Sequence, residues 1–295
     1  MNVEMRYGEK TKRTQAALQR IPLIGLTFAF SAFSSGCASP RHGAGAGDHC
    51  ANRRITLPAQ PEAMNIETAR TALIVVDMQN DFGSKGGMFD RAGIDIAGIQ
   101  KAVGPIARVL AKARKAGIKV IYLKMAFRPD LSDAGPHDSP NRINHFERMN
   151  VGKSITAPNG KESRILIRDT WNTEILEEIA PEPGDVVIYK NRFSGFYRTE
   201  LDAILKQRGI RHLVVMGCTT SVCVDSTIRD AMFRDYRCVL LADCTAEPIG
   251  QGLPRSNYDA SLLVVRTLLG WTSSSDEFIK ALETPRTGAP DNLQN

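Results

Sequence analysis

RHLVVMGCTTSVCVDSTIRDAMFRDYRCVLLAD (residues 211–243) sets two apolar runs, RHLVVMG (211–217) and CVLLAD (238–243), on either side of a segment with helical spacing (220–235). The runs are aliphatic and continuous rather than alternating, as strands buried on both faces require. A strand, a helix and a second strand in direct succession form a βαβ unit, and such units build parallel sheets. The same grammar extends outward. TALIVVD (71–77), IKVIYL (118–123) and DVVIYK (185–190) read as further buried strands. Helical spacings over 97–116, 199–208 and 257–269 end at Gly117, Gly209 and Gly270, where a helix C-terminus favours a left-handed residue. The expected fold is therefore a three-layer α/β/α sandwich with a mostly parallel sheet. The stretch 128–165 has little periodicity and is long for a connection, so it is expected to be a functional cover or an assembly surface.

The 295 residues carry a formal charge of +6, half of which comes from residues 1–37 alone (Arg6, Lys10, Lys12, Arg13 and Arg20 against Glu4 and Glu9). The remainder is only mildly basic and shows no basic stripe interleaved with aromatics, which argues against nucleic-acid binding. Residues 1–37 have the layout of an export signal: a basic region, the apolar stretch IPLIGLTFAFSAF (21–33), then SSGCASP. Gly36-Cys37 resembles a bacterial lipoprotein signal and implies a lipid anchor at Cys37. That chain would be membrane-anchored, periplasmic or exported. The alternative is an untranslated extension with Met64 as the start, which leaves the protein cytoplasmic. Residues 38–54 read as a flexible linker, 55–284 as the folded domain and 285–295 as a tail.

In parallel α/β sheets ligands bind beyond the carboxyl ends of the strands. Asp77 ends one strand run, Lys190 ends another, and Cys223 follows RHLVVMG after a short turn. Singly, each has a bland reading: a cap residue, an edge charge and a buried thiol. Together they form a base, a cation and a nucleophile on one sheet edge. A thiol in the first turn of a helix, beside a lysine, is expected to form thiolate near neutral pH. Backbone N–H groups at the same helix start suit an oxyanion.

The blocks LIVVDMQNDF (73–82), IYKNRFSGFYRTELDAILKQRGI (188–210) and LVVMGCTTSVCVDSTIRDA (213–231) resemble the isochorismatase-like cysteine hydrolases. The resemblance implies a six-stranded parallel sheet, an Asp77-Lys190-Cys223 triad, a cis peptide at Cys218-Thr219, an oxyanion hole from the N–H groups of Thr219 and Cys223, and a homo-oligomer, dimer or tetramer. Within the family, PAQPEAM (58–64), GPHDSPN (135–141) and PEPGDVVIYKNRFSGFYRTELD (181–202) are most similar to the ureidoacrylate amidohydrolases of pyrimidine utilisation. This implies hydrolysis of a C–N bond in a small ureido or amide substrate through a thioester, with ureidoacrylate favoured. Ser84 to Gly87 and the Thr-Thr loop are also similar to biuret hydrolases, so a biuret-type or other carbamoyl amide stays open as the substrate.

Asn80, Phe82 and Trp171 are candidates to line the pocket, and Arg192 and Tyr197 to meet a carboxylate or ureido oxygen at its mouth. Cys218, Cys238 and Cys244 read as small buried hydrophobes. The second strand is followed by LKMAFRPDLSDAG, with no His before His137. That departs from the Asp and two His that zinc-dependent nicotinamidases carry, so His137 and His145 read as loop residues and no metal is expected. Phosphate loops of the Gly-rich kinds are absent, so no nucleotide or flavin cofactor is expected. The rival from another class is a catalytically silent, membrane-tethered binding protein. A redox role would need a resolving cysteine, and Cys218 is the one near Cys223 in sequence.

Overall fold

The computed structural model describes residues 52–250, 254 and 256–284. The residues read as an export signal, including Cys37, and the tail from 285 lie outside these. Six strands form the central sheet: β1 (Thr71–Val76), β2 (Lys119–Met125), β3 (Val186–Lys190), β4 (His212–Cys218), β5 (Arg237–Ala246) and β6 (Trp271–Ser273). They lie in the order β6-β5-β4-β1-β2-β3, every pair parallel. β1 and β4 are buried at every position, as their unbroken apolar runs require.

The two faces of the sheet bury separate clusters, and β1 feeds them alternately. Leu73 and Val75 join Val214 and Met216 under α1 (Ala97–Lys115) and α5 (Ser275–Glu283), which contribute Ile99, Ile106, Val109 and Phe278. Ala72, Ile74 and Val76 face the other way with Ile121, Leu213 and Val215. There α2 (Leu201–Gln207) supplies Leu201 and Leu205, α3 (Asp225–Met232) supplies Ile228, and the π-helical turn Val265–Leu269 after α4 (Asn257–Val264) supplies Val265. The period of two along the strand thus sorts one run of aliphatic residues into both cores.

Three expectations shift on contact with the structure. Gly117 and Gly209 do adopt positive φ after their helices. Gly270 does not: its φ is 168°, extended backbone, and a Cβ there would sit 2.3 Å from the carbonyl oxygen of Cys238. Its smallness serves the close approach of β6 to β5, not a helix cap. The stretch 128–165 is not structureless, since it folds a π-helical segment (Ile143–Arg148) and the hairpin Ser154–Thr156 with Glu162–Arg164. Strand pairing also starts at Arg54, against Glu67, within the segment read as linker. Among the described residues no helix is long and apolar enough to cross a membrane.

The chain enters the sheet at β1, runs outward through β2 and β3, then returns to place β4 on the opposite side of β1. The carboxyl ends of β1 and β4 therefore flank the point where the strand order reverses, which is where open α/β sheets hold their ligands.

Candidate active site

Each member of the sequence-derived trio leaves the carboxyl edge of this sheet. Asp77 follows β1 with φ 52°, a left-handed conformation tolerated by aspartate, and its backbone bonds Leu123 on one side and Gln79 on the other. Non-glycine residues held in this region concentrate at functional sites. Lys190 closes β3 in register with Met125 of β2. Its side chain passes the end of β2 to reach Asp77, with Nζ 2.7 Å from Oδ2, and both residues are 1% exposed. Nζ also donates to the Arg192 carbonyl at 3.2 Å.

Cys223 comes from the turn after β4. Gly217, the next-to-last residue of β4, has φ 121°, and a Cβ there would lie 2.1 Å from the carbonyl oxygen of Val76. Only glycine allows this approach. It draws the end of β4 against Asp77, whose carbonyl accepts a hydrogen bond from Cys218 Sγ at 3.2 Å. The Cys218-Thr219 peptide is cis. The chain then winds through a π-helical turn, Thr220–Val224, before α3 begins. Such single turns recur at functional sites because the extra residue re-aims a side chain. The turn is tied on both sides. Thr220 Oγ1 bonds Thr245 Oγ1 at 2.8 Å, and Thr245 in turn donates to the Gly217 carbonyl. Thr227 donates to the Cys223 carbonyl at 2.7 Å and accepts from the Gly195 N–H at 3.0 Å.

The thiol of Cys223 is in contact with both Asp77 and Lys190. Its burial corrects the expected thiolate: desolvation pushes the thiol well above its ordinary value, and the nearby ammonium, though it works the other way, does not offset it. Burial also lifts Asp77 above the usual carboxylate range against the pull of Lys190. Burial disfavours the Lys190 charge, and the Asp77 carboxylate favours it. The resting site is thus an ammonium paired with an unusually basic carboxylate, beside a neutral thiol. A base that strong, in contact with the thiol, suits proton removal during attack rather than before it.

Asp77 and Cys223 line a cavity of about 320 Å³, and Lys190 reaches Asp77 from behind its wall. Its walls are largely apolar: Phe82, Met88, Phe89, Met125, Met149 and Leu166, with Thr219, Asn144 and His145 among the few polar residues. Phe82 is where the sequence places it. Asn80 and Trp171 are not: Asn80 Nδ2 donates to the Trp171 carbonyl at 2.8 Å, and the two residues line other clefts. Arg192 and Tyr197 also lie outside the cavity wall. The Arg192 guanidinium turns back to the carbonyls of Asn191 and Asp133 and rests over the Tyr197 ring, which is 40% exposed. From that segment Phe193 faces the cavity instead. His145 makes a hydrogen bond, to the Asn141 carbonyl, but from a π-helical segment rather than the loop the sequence suggests, and nothing in the sequence shows that it reaches the cavity. Among the described residues no group of three or more His, Cys, Asp or Glu is arranged to hold a metal ion; His137 is exposed.

Asp81, four residues after the base, is a buried carboxylate that organises the cavity wall. It accepts from the N–H of Met88 at 2.9 Å, the N–H of Leu166 at 2.7 Å and the Asn172 amide, and burial lifts its pKa to about 7 against those three bonds. Asp81→Ala leaves these buried donors unpaired and is expected to destabilise the fold by about 3 kcal/mol or more. Urea unfolding followed by circular dichroism measures this, and an unchanged midpoint would refute the assignment.

Residues 71–277 match the isochorismatase domain family. Ureidoacrylate amidohydrolase RutB of Variovorax paradoxus (strain S110) is 41% identical over 225 residues, 76% of this chain and 86% of that protein. Among solved structures, a cysteine hydrolase from Pseudomonas syringae pv. phaseolicola is 28% identical with a TM-score of 0.61, covering 79% of this chain and 98% of that one. The N-carbamoylsarcosine amidase of Thermoplasma acidophilum is 29% identical with a TM-score of 0.52, over 70% of this chain and 97% of its own.

Proposed function

Because this chain belongs to the isochorismatase family, we propose that it is a cysteine amidohydrolase that cleaves a C–N bond of a small ureido acid of the ureidoacrylate type. The observation that carries the reading is the buried Asp77–Lys190 pair, 2.7 Å apart, beside the Cys223 thiol, with Asp77 and Cys223 both lining one apolar cavity. The RutB relative's activity supports the substrate class, and the carbamoyl amidase among the structural relatives supports the same kind of bond.

In this mechanism Asp77 takes the thiol proton as Sγ attacks the carbamoyl carbon, and the new oxyanion is held by the N–H groups of Thr219 and Cys223. Collapse breaks the C–N bond, and the proton on Asp77 passes to the departing nitrogen. Water, deprotonated by Asp77, then cleaves the C–S bond and returns the proton to sulfur. Lys190 keeps the carboxylate charged and oriented throughout. If ammonia departs first, the carbamate released breaks down to carbon dioxide and the amine; if the amine departs first, to carbon dioxide and ammonia; either way one ammonia appears per ureido group cleaved.

The dimer or tetramer implied by the family resemblance belongs to this proposal, supported by Phe233, Leu263 and Leu268, exposed at 69%, 52% and 72%. The lipid anchor at Cys37, and with it an exported location, rests on the sequence pattern alone. A catalytically silent binding protein gains no support from relatives that are amidohydrolases.

The test is ammonia release by the purified protein from ureidoacrylate analogues, N-carbamoyl amino acids, biuret and nicotinamide. Release from ureido acids above all others is expected. Preference for biuret would move the assignment to that substrate, and preference for nicotinamide would overturn the ureido reading.

A further inference from the structure

His145 enters the cavity from the π-helical segment Ile143–Arg148, and the chemistry above gives it no part. Its ring is 7% exposed and lies between Phe127 and Phe193, 5.6 Å from each ring centre. Nδ1 is 2.7 Å from the backbone carbonyl of Asn141. A carbonyl oxygen only accepts, so Nδ1 carries the proton. Burial holds the imidazole below its ordinary value, and Lys190 and Arg192 push the same way past the bond to Asn141. The ring is therefore neutral, and the polar atom it has left for the cavity is Nε2, with a free lone pair.

A bound ureido group brings N–H donors into this space on both sides of the carbonyl that Cys223 attacks. Most of the wall receives them poorly: the side chains of Phe82, Phe89 and Leu166 offer no acceptor and those of Met88 and Met149 only a weak thioether sulfur. Burying such a donor unpaired is costly, so the site must supply an acceptor for it. Of the polar side chains that remain, Asp77 is paired through Oδ2 with Lys190, and Asn144 and Thr219 share the wall with His145.

We propose that His145 is a specificity residue whose Nε2 accepts a hydrogen bond from an N–H of the substrate's ureido group, with the Asn141 carbonyl fixing the tautomer that makes this acceptor. The inference rests on the function proposed above. It predicts that the enzyme favours ureido substrates through KM, by contact with a nitrogen that a simple ester lacks.

Two substitutions in the full chain separate this role from a structural one. The amide of glutamine reaches the position of Nε2 and keeps an acceptor there, whereas that of asparagine reaches the position of Nδ1 and keeps only the bond to Asn141. With the ureido acid that the wild type turns over best, His145→Asn is expected to raise KM about tenfold or more with kcat little changed, and His145→Gln to recover most of that loss. The alkylation rate of Cys223 checks that the cavity is intact in both variants. Equal losses in the two variants, rescue by asparagine rather than glutamine, or no loss in either would overturn the assignment. A wild type that releases no ammonia from any ureido acid would instead overturn the function on which it rests.

Discussion

Cys223→Ser is expected to lower turnover by about 10⁵-fold or more, because serine keeps the shape but not a nucleophile that this base can unmask. The reasoning follows from burial. The thiol is held neutral at rest, so the enzyme depends on Asp77 taking its proton as the new bond forms, and a hydroxyl, far less acidic than a thiol, cannot be unmasked by a carboxylate at the same cost. Stability should barely change, since the substitution adds no volume to a site where Cys223 is 7% exposed. Steady-state ammonia release and urea unfolding on the same preparation measure the two sides. Retained turnover would remove Cys223 from the mechanism. A large loss of stability would make the activity result uninformative, and Cys223→Ala would then replace it.

Lys190→Met is expected to remove turnover by about 10³-fold and also to destabilise the fold by about 3–5 kcal/mol, because it leaves Asp77 as a buried charge without a partner. The second effect distinguishes it from the cysteine variant. The double change Lys190→Met with Asp77→Asn removes the stranded charge as well, so it should regain much of the stability and none of the activity. A double-variant cycle by urea unfolding reads the coupling directly. If the two single losses simply add, Asp77 and Lys190 do not act as a pair, and the picture of an ammonium-held base fails.

Much of this architecture is legible along the chain, for reasons that differ by residue. β1 and β4 announce themselves because a strand covered on both faces must be apolar at every position, and TALIVV and HLVVMGC are close to that limit. Asp77, Lys190 and Cys223 are legible because a charged or reactive side chain that ends such a run, or follows it after a short turn, has to lie at a sheet edge. The sixth strand is different. Trp271–Ser273 is three residues long, too short for any period, and the five longer runs do not reveal it. Side-chain direction in loops is equally silent in sequence. Nothing in KNRFSGFY says that Arg192 turns back to the carbonyls of Asn191 and Asp133 while Phe193 faces the cavity; that is set by backbone geometry and the acceptors it presents. The protonation state of Cys223 escapes the sequence for a related reason. Helix position and a neighbouring lysine are visible in the sequence, but the depth of burial that outweighs them is not.

The reversal of strand order at β1 and β4 also divides the chemistry along the chain. Residues up to Lys190 hold the base and the cation on one half of the sheet; the thiol arrives only with the second half. A ribosome making this chain thus adds the base and the cation before it adds the nucleophile. Neither half carries the whole triad: one has a base and no thiol to activate, the other a thiol and no base to take its proton. Hydrolytic power belongs to the seam where the halves meet.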